Sequence, residues 1–128
     1  MLKSIVWNPL TISPIHGHNS EGCWVRMMEG SVHEQIFYPE EESPPELRSE
    51  KDVNEGEVTW LHNSIGFHLM QNQSESKRAV TLHLYHPPYD ETKIKAPTGE
   101  VTMGKLGYYT YLGEKGETSG AGPSAGGV

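Results

Sequence analysis

Along this chain the apolar residues recur with a period of two, and almost nowhere with the period of a helix. The runs "KSIVW", "CWVRMM", "SVHEQIFY", "EVTWL", "GFHLMQ", "AVTLHLY" and "EVTMGK" are short, rich in β-branched and aromatic residues, and bounded by Gly, Pro, Asn or Ser. Successive side chains of a strand point to opposite faces, so each run can bury one side and expose the other. The pattern predicts an all-β fold, a sandwich or barrel. A closed or jelly-roll arrangement would deal with the unpaired edges of so small a set of strands. Between Pro39 and Val53, "PEEESPPELRSEKDV" is too charged and proline-rich for a strand and is expected to be a surface excursion. From Glu114 to Val128 Gly, Ser and Pro dominate with no apolar pattern, which predicts one domain over 1–113 and a disordered tail over 114–128.

Charge and cysteine usage narrow the partners. The 128 residues hold 10 Lys and Arg against 17 Asp and Glu, a net charge of −7, and the basic residues are scattered, so nucleic acid is not an expected partner. No run approaches the ~18 apolar residues of a membrane span. The start "MLKSIVWNPL" lacks the long apolar core of a signal peptide, so a cytoplasmic protein without membrane contact is expected. A single cysteine cannot form an internal disulfide, which suits a reducing compartment and leaves stability to a packed core or a metal.

The seven histidines are distributed unevenly. In "SPIHGHNSEGC", His16 and His18 are one residue apart, and on an extended strand both imidazoles face the same side. His68 lies in "GFHLMQN" and His83 in "TLHLY", on later strands whose inward positions can converge with the pair in a rolled sheet. A set of three neutral imidazoles suits Fe(II), Zn, Cu or Ni alike. Thr81, His83 and Tyr85 alternate along one strand and share a face, the pattern also expected of a half-buried strand with a core tyrosine. Cys23 taken alone is a small buried hydrophobe. His33, His62 and His86 belong to no motif and are expected at surface or turn positions.

His16-x-His18, Cys23 and Gly30 together resemble the first motif of the cupin superfamily, with cysteine where many cupins carry a glutamate ligand. "GEVTWLHNSIGFHLMQN" resembles the second, with His68 followed four residues later by Asn72. "SPIHGH…GC", "NSIGFH…QN" and above all "TLHLYHPPYD" are similar to cysteine dioxygenase, a mononuclear non-haem iron enzyme family, over about Ile5 to Lys105. The resemblance implies a cupin jelly roll and a thiol dioxygenase that uses Fe(II) and O2 to oxidise L-cysteine to cysteine sulfinate, both oxygen atoms going to the sulfur, a step of sulfur amino acid catabolism on the branch to taurine. It implies Fe(II) held by His16, His18 and His68, a thioether crosslink between Cys23 and Tyr85, and a relay of Thr81, His83 and Tyr85. It also implies a monomer. Ile5, Trp7, Phe67, Met70 and Met103 would line the cavity by the same analogy, although a β core uses such residues equally.

Three neutral ligands leave an iron its full 2+ charge and up to three open positions, enough for a thiolate, an amine and O2. The sequence departs from the family at its start. The family's N-terminal region, and with it the arginine that grips the substrate carboxylate, has no match here, which predicts a jelly roll truncated at its N-terminus. Arg26, Arg48 and Arg78 sit elsewhere in the pattern, and Gly17 stands where the family commonly has an acidic residue. Two other readings therefore stay beside cysteine oxidation: a metal-binding cupin with little or no turnover, and a dioxygenase of another small thiol such as cysteamine or 3-mercaptopropionate.

Overall fold

The computed structural model describes residues 2–18, 22–62, 64–86, 91–105, 107–109 and 115–117, the backbone alone at 18, 105, 107–109 and 115–117. Every regular element among them is a strand. Four form one antiparallel sheet: β1 (Leu2–Trp7), β8 (Ala79–His86), β3 (Gly22–Glu29) and β6 (Val58–Leu61), in that spatial order. Six form a second, ordered β10 (Val101–Lys105), β9 (Glu91–Lys95), β2 (Ile15–His18), β7 (Phe67–Gln71), β4 (Val32–Phe37) and β5 (Leu47–Val53). A short hairpin of β11 (Gly107–Tyr109) and β12 (Lys115–Glu117) completes the set. Residues 115–117 belong to the stretch expected to lack structure, while 118–128 lie outside the described residues.

The alternation read from the sequence is the alternation of burial. In β8, Ala79, Thr81, His83 and Tyr85 are buried while Val80, Leu82, Leu84 and His86 are more exposed. In β3, Cys23, Val25 and Met27 face inward and Trp24, Arg26 and Met28 face out. The inner faces of the two sheets meet in one core that joins Ile5, Trp7, Cys23, Val25, Met27, Ala79 and Tyr85 to Val32, Val53 and Met70. A second cluster of Phe37, Phe67 and Leu69, flanked by Ile15 and Val101, covers the other face of the six-stranded sheet. Lys95 lies over the Phe67 ring and donates to the carbonyl of Glu40, drawing the loop before β5 across this cluster.

Two expectations need correction. Residues 47–53, read as part of a surface excursion, form β5, paired with β4. Six of its seven residues are exposed and only Val53 is buried, because β5 is the sheet edge. Charged side chains there oppose pairing with another chain, so the composition that argued against a strand is that of a protected edge. Met103, offered as a cavity residue, is exposed on β10, the opposite edge, whereas Ile5, Trp7 and Met70 are in the main core and Phe67 in the second cluster.

Candidate metal centre

His16 and His68 occupy directly opposed positions of β2 and β7. Two local features fix them. The Ser13 hydroxyl accepts from the Met70 amide while the Ser13 amide donates to the Met70 carbonyl, which locks the approach to β2 against β7. At the other end of β7, Gly66 has φ +141°, and a Cβ there would lie 1.8 Å from the carbonyl oxygen of Phe37, so only glycine lets the chain enter the strand beside β4. The imidazoles that result are both buried, with ring centroids 4.5 Å apart and Nε2 atoms 3.0 Å apart.

Each ring is held from behind. His16 Nδ1 donates to the Pro14 carbonyl at 2.8 Å. His68 Nδ1 donates to Glu34 Oε2 at 2.8 Å, and the Thr59 hydroxyl donates to Glu34 Oε1 at 2.7 Å. Thr59 belongs to β6 in the four-stranded sheet and Glu34 to β4 in the other, so this bond ties the sheets together behind the histidine. Burial would raise the Glu34 pKa, but the hydrogen bonds and charge of its partners outweigh it and hold the carboxyl below its ordinary value. Burial, joined by the neighbouring His68, pushes the His16 pKa well below its ordinary value, so its imidazole is neutral.

The facing sheet presents a second row. The Trp7 indole N–H donates to the Thr81 hydroxyl at 2.9 Å, and that hydroxyl is 2.7 Å from His83 Nε2. His83 Nδ1 stands 3.4 Å from the Tyr85 hydroxyl, with the two rings stacked. Tyr85 is the cross-strand partner of Cys23, and the hydroxyl and thiol are hydrogen-bonded. Burial, helped by Lys3, brings His83 down to about 3, burial lifts the Cys23 thiol to about 12, and burial also raises Tyr85 well above 10. The row is therefore neutral at physiological pH.

With both Nδ1 hydrogens committed, the two Nε2 lone pairs point at one another across 3.0 Å. A positive charge between them, a metal ion or a bridging proton, resolves the contact. Two nitrogens bound at right angles to one ion at about 2.1 Å would be about 3.0 Å apart, so the pair fits adjacent positions of an octahedral shell. His18, the last residue of β2, pairs through its backbone with Thr92 of β9, and its side chain lies outside the described residues. Among the described residues, no group of three His, Cys, Asp or Glu converges, and His16 and His68 are the pair brought together.

His33, His62 and His86 stay away from this centre: His33 pairs with Glu50 and Asp52, His62 closes a turn with Ser64, and His86 is exposed at the end of β8. Arg26 is exposed, Arg48 donates to the Ile65 carbonyl beside Tyr38, and Arg78 pairs with Glu29 on the surface. Three residues at the site had not been singled out: Glu34, Thr59 and Lys3. Glu34 and Lys3 each alternate with inward apolar residues, Glu34 between Val32 and Ile36, Lys3 ahead of Ile5 and Trp7, and this was a usable signal. Thr59 carried none, since its partner comes from the other sheet.

Two facing antiparallel sheets with a histidine pair inside them define a cupin jelly roll, and solved structures agree on the fold. The cupin domain of Drosophila melanogaster CENP-C superposes with a TM-score of 0.55 at 14% identity, over 66% of this chain and 59% of that one. Oxalate oxidase gives 0.51 at 16% identity, over 64% of this chain and 39% of that one. A sequence profile of the family described as cysteine dioxygenase type I matches residues 1–96. Cysteine dioxygenase type 1 of Homo sapiens is 34% identical over 91 residues, 70% of this chain and 46% of the human protein. The chain belongs to the cysteine dioxygenase type I family, and it spans about half the length of such curated relatives.

Proposed function

We propose that this chain is a thiol dioxygenase core that adds both atoms of O2 to the sulfur of L-cysteine, giving cysteine sulfinate. The observation that carries the reading is the opposed Nε2 pair of His16 and His68 facing the Thr81–His83–Tyr85 row across the core. Fe(II), held by His16, His68 and, by family resemblance, His18, would supply a thiolate-binding centre able to activate O2. The rest is done by the chain. Glu34 orients His68 and strengthens it as a donor. Trp7 and Thr81 fix the His83 ring, and neutral His83 steers the Tyr85 hydroxyl, which stays protonated and can hydrogen-bond an oxygen or sulfur atom placed before it.

The contact between Cys23 and Tyr85 supports the thioether of the family resemblance. Its formation joins Cys23 Sγ to a Tyr85 ring carbon with loss of the thiol hydrogen and a ring hydrogen, two electrons passing to O2. Intact mass lower by two hydrogens would report it.

The test is anaerobic Fe(II) loading followed by L-cysteine and O2, with sulfinate read by mass spectrometry in the parent chain and in His68→Ala. Sulfinate from the parent alone supports the reading. A second reading, a metal-binding cupin without turnover, draws on the chain's matching only 46% of the human relative. Iron bound without sulfinate would favour it, and absence of iron binding would remove both.

A further inference from the structure

We propose that the outer face of the four-stranded sheet is a docking surface for a second copy of this chain, two copies meeting face to face in place of the monomer that the family resemblance implies. A sheet with one face in the core ordinarily turns polar side chains to water on the other. This one does not. Leu2 of β1 opposes Leu84 of β8, Leu84 opposes Trp24 of β3, and Trp24 opposes Trp60 of β6, so one apolar rung crosses all four strands. Every member of the rung is exposed. The neighbouring rungs add Val58 and Val6, also exposed. The six-stranded sheet differs, because its outer cluster of Phe37, Phe67 and Leu69 is buried and Lys95 draws the loop before β5 across it.

Shape, charge and area together favour a copy of the chain as the occupant. A Cβ at Gly22 would lie 2.4 Å from Trp60 Nε1 and 3.1 Å from the Trp24 ring, so glycine lets both indoles lie low against the sheet. Their centroids are 6.2 Å apart and their planes 28° from parallel, which leaves the rung flat. Among the described residues of these strands, charge on this face comes from Arg26, with the Glu29–Arg78 pair at its rim, although the chain carries −7 in total. A strongly charged partner would find little to pair with. Arginine itself suits an interface, since its stem packs on apolar surface and its guanidinium stacks on aromatic rings. The exposed apolar side chains present on the order of 600 Å², the upper end of the ~300–600 Å² of the largest patch on a typical monomer. Ser4 and Arg26, exposed within the patch, bring it towards the ~800 Å² that each partner gives to a standard interface. A flat, apolar, nearly uncharged patch is complementary to itself, which is what an isologous contact about a two-fold axis requires, and two such faces can stack at the ordinary ~10 Å spacing of packed sheets.

The experiment is sedimentation of the parent chain over about 1 to 100 μM, with tryptophan emission and acrylamide quenching followed over the same range. The mass is expected to pass from one copy to two. Emission should shift to the blue and quenching should fall with it, because Trp24 and Trp60 leave water while Trp7 is buried from the start. Leu84→Lys, in the middle of the rung, and Val58→Glu, beside it, should each raise the dimer Kd by at least about 10-fold, with thermal melting to show that each is folded. Met103→Lys, on the far edge of the other sheet, should dimerise as the parent does. Moderate salt should tighten the dimer, since each copy carries −7. A parent that stays monomeric to the highest concentration overturns the assignment and leaves the face to a different polypeptide. A dimer that forms equally well in a folded Leu84→Lys or Val58→Glu, or without change in the tryptophan signal, overturns it as well.

Discussion

His16 and His68 stand opposite one another on adjacent strands with their Nε2 atoms 3.0 Å apart and both Nδ1 atoms bonded behind them. With both Nδ1 atoms turned to acceptors behind them, the rings present Nε2 to Nε2, and a shared cation turns that contact into coordination. A ligand that binds only the folded chain stabilises it by about 2.7 kcal/mol at a hundred times its Kd. Addition of Fe(II), or of Zn(II) as an air-stable substitute, is therefore expected to raise the melting temperature of the parent, and a chelator to reverse it. His68→Ala should abolish the rise. A metal-induced shift that survives in His68→Ala would place the metal elsewhere.

Glu34 acts on the centre through His68. Its two carboxylate oxygens accept from His68 Nδ1 and the Thr59 hydroxyl, and glutamine can offer only one oxygen to those two donors. Glu34→Gln should lower metal affinity by about 10- to 100-fold, measured by competition with a coloured chelator. Its folding free energy should fall by about 1–3 kcal/mol, because a buried donor loses its acceptor. Thr59→Val removes the other donor and leaves the His68 contact, so its effect on metal affinity should be smaller. Equal affinity in parent and Glu34→Gln would show that His68 needs no support from the carboxylate.

The same alternation that made β8 legible in the sequence also placed Glu34 and Lys3 inward, yet neither was read so. A charge in an apolar row, or at the start of a strand, is taken for the solvated end of the pattern unless its partner is known. The partners here lie far along the chain: His68 is 34 residues from Glu34, and Lys3 meets His83 through the pairing of β1 with β8. The three motif regions, by contrast, carried the placement of His16, His68, Thr81, His83, Tyr85 and Cys23 on inner faces, because each needed only its own strand's period. Strand β5 was hidden for the opposite reason: an edge strand keeps charges on both faces, and its pairing with β4 is the only mark of it.

Thr81 is the joint of the relay, accepting from the Trp7 indole and touching His83 Nε2, all three buried. Thr81→Val keeps the shape and removes the hydroxyl, leaving the indole N–H without its acceptor, a loss of about 1–3 kcal/mol in urea denaturation. Thr81→Ser keeps the hydroxyl and should lose about 0.8 kcal/mol, the contribution of one methyl-sized group. If the two variants were equally stable, the hydroxyl would have no part in holding Trp7 and His83.

His33 binds the edge strand by charge. Its Nε2 is 2.9 Å from Glu50 and its Nδ1 2.9 Å from Asp52, so only the imidazolium can donate to both, and these contacts raise its pKa above the ordinary 6.5. A raised folded-state pKa stabilises the fold fully below the unfolded value, and the contribution disappears as the pH rises through the folded value. The melting temperature of the parent minus that of His33→Gln should therefore be largest below 6.5 while Glu50 and Asp52 remain ionised, shrink as the pH climbs through the raised pKa, and fall again where the carboxylates take up protons. Moderate salt should reduce the whole difference, since Glu50 and Asp52 are exposed. A difference that grows on the alkaline side would mean that His33 supports β5 as the neutral ring, through one hydrogen bond rather than two.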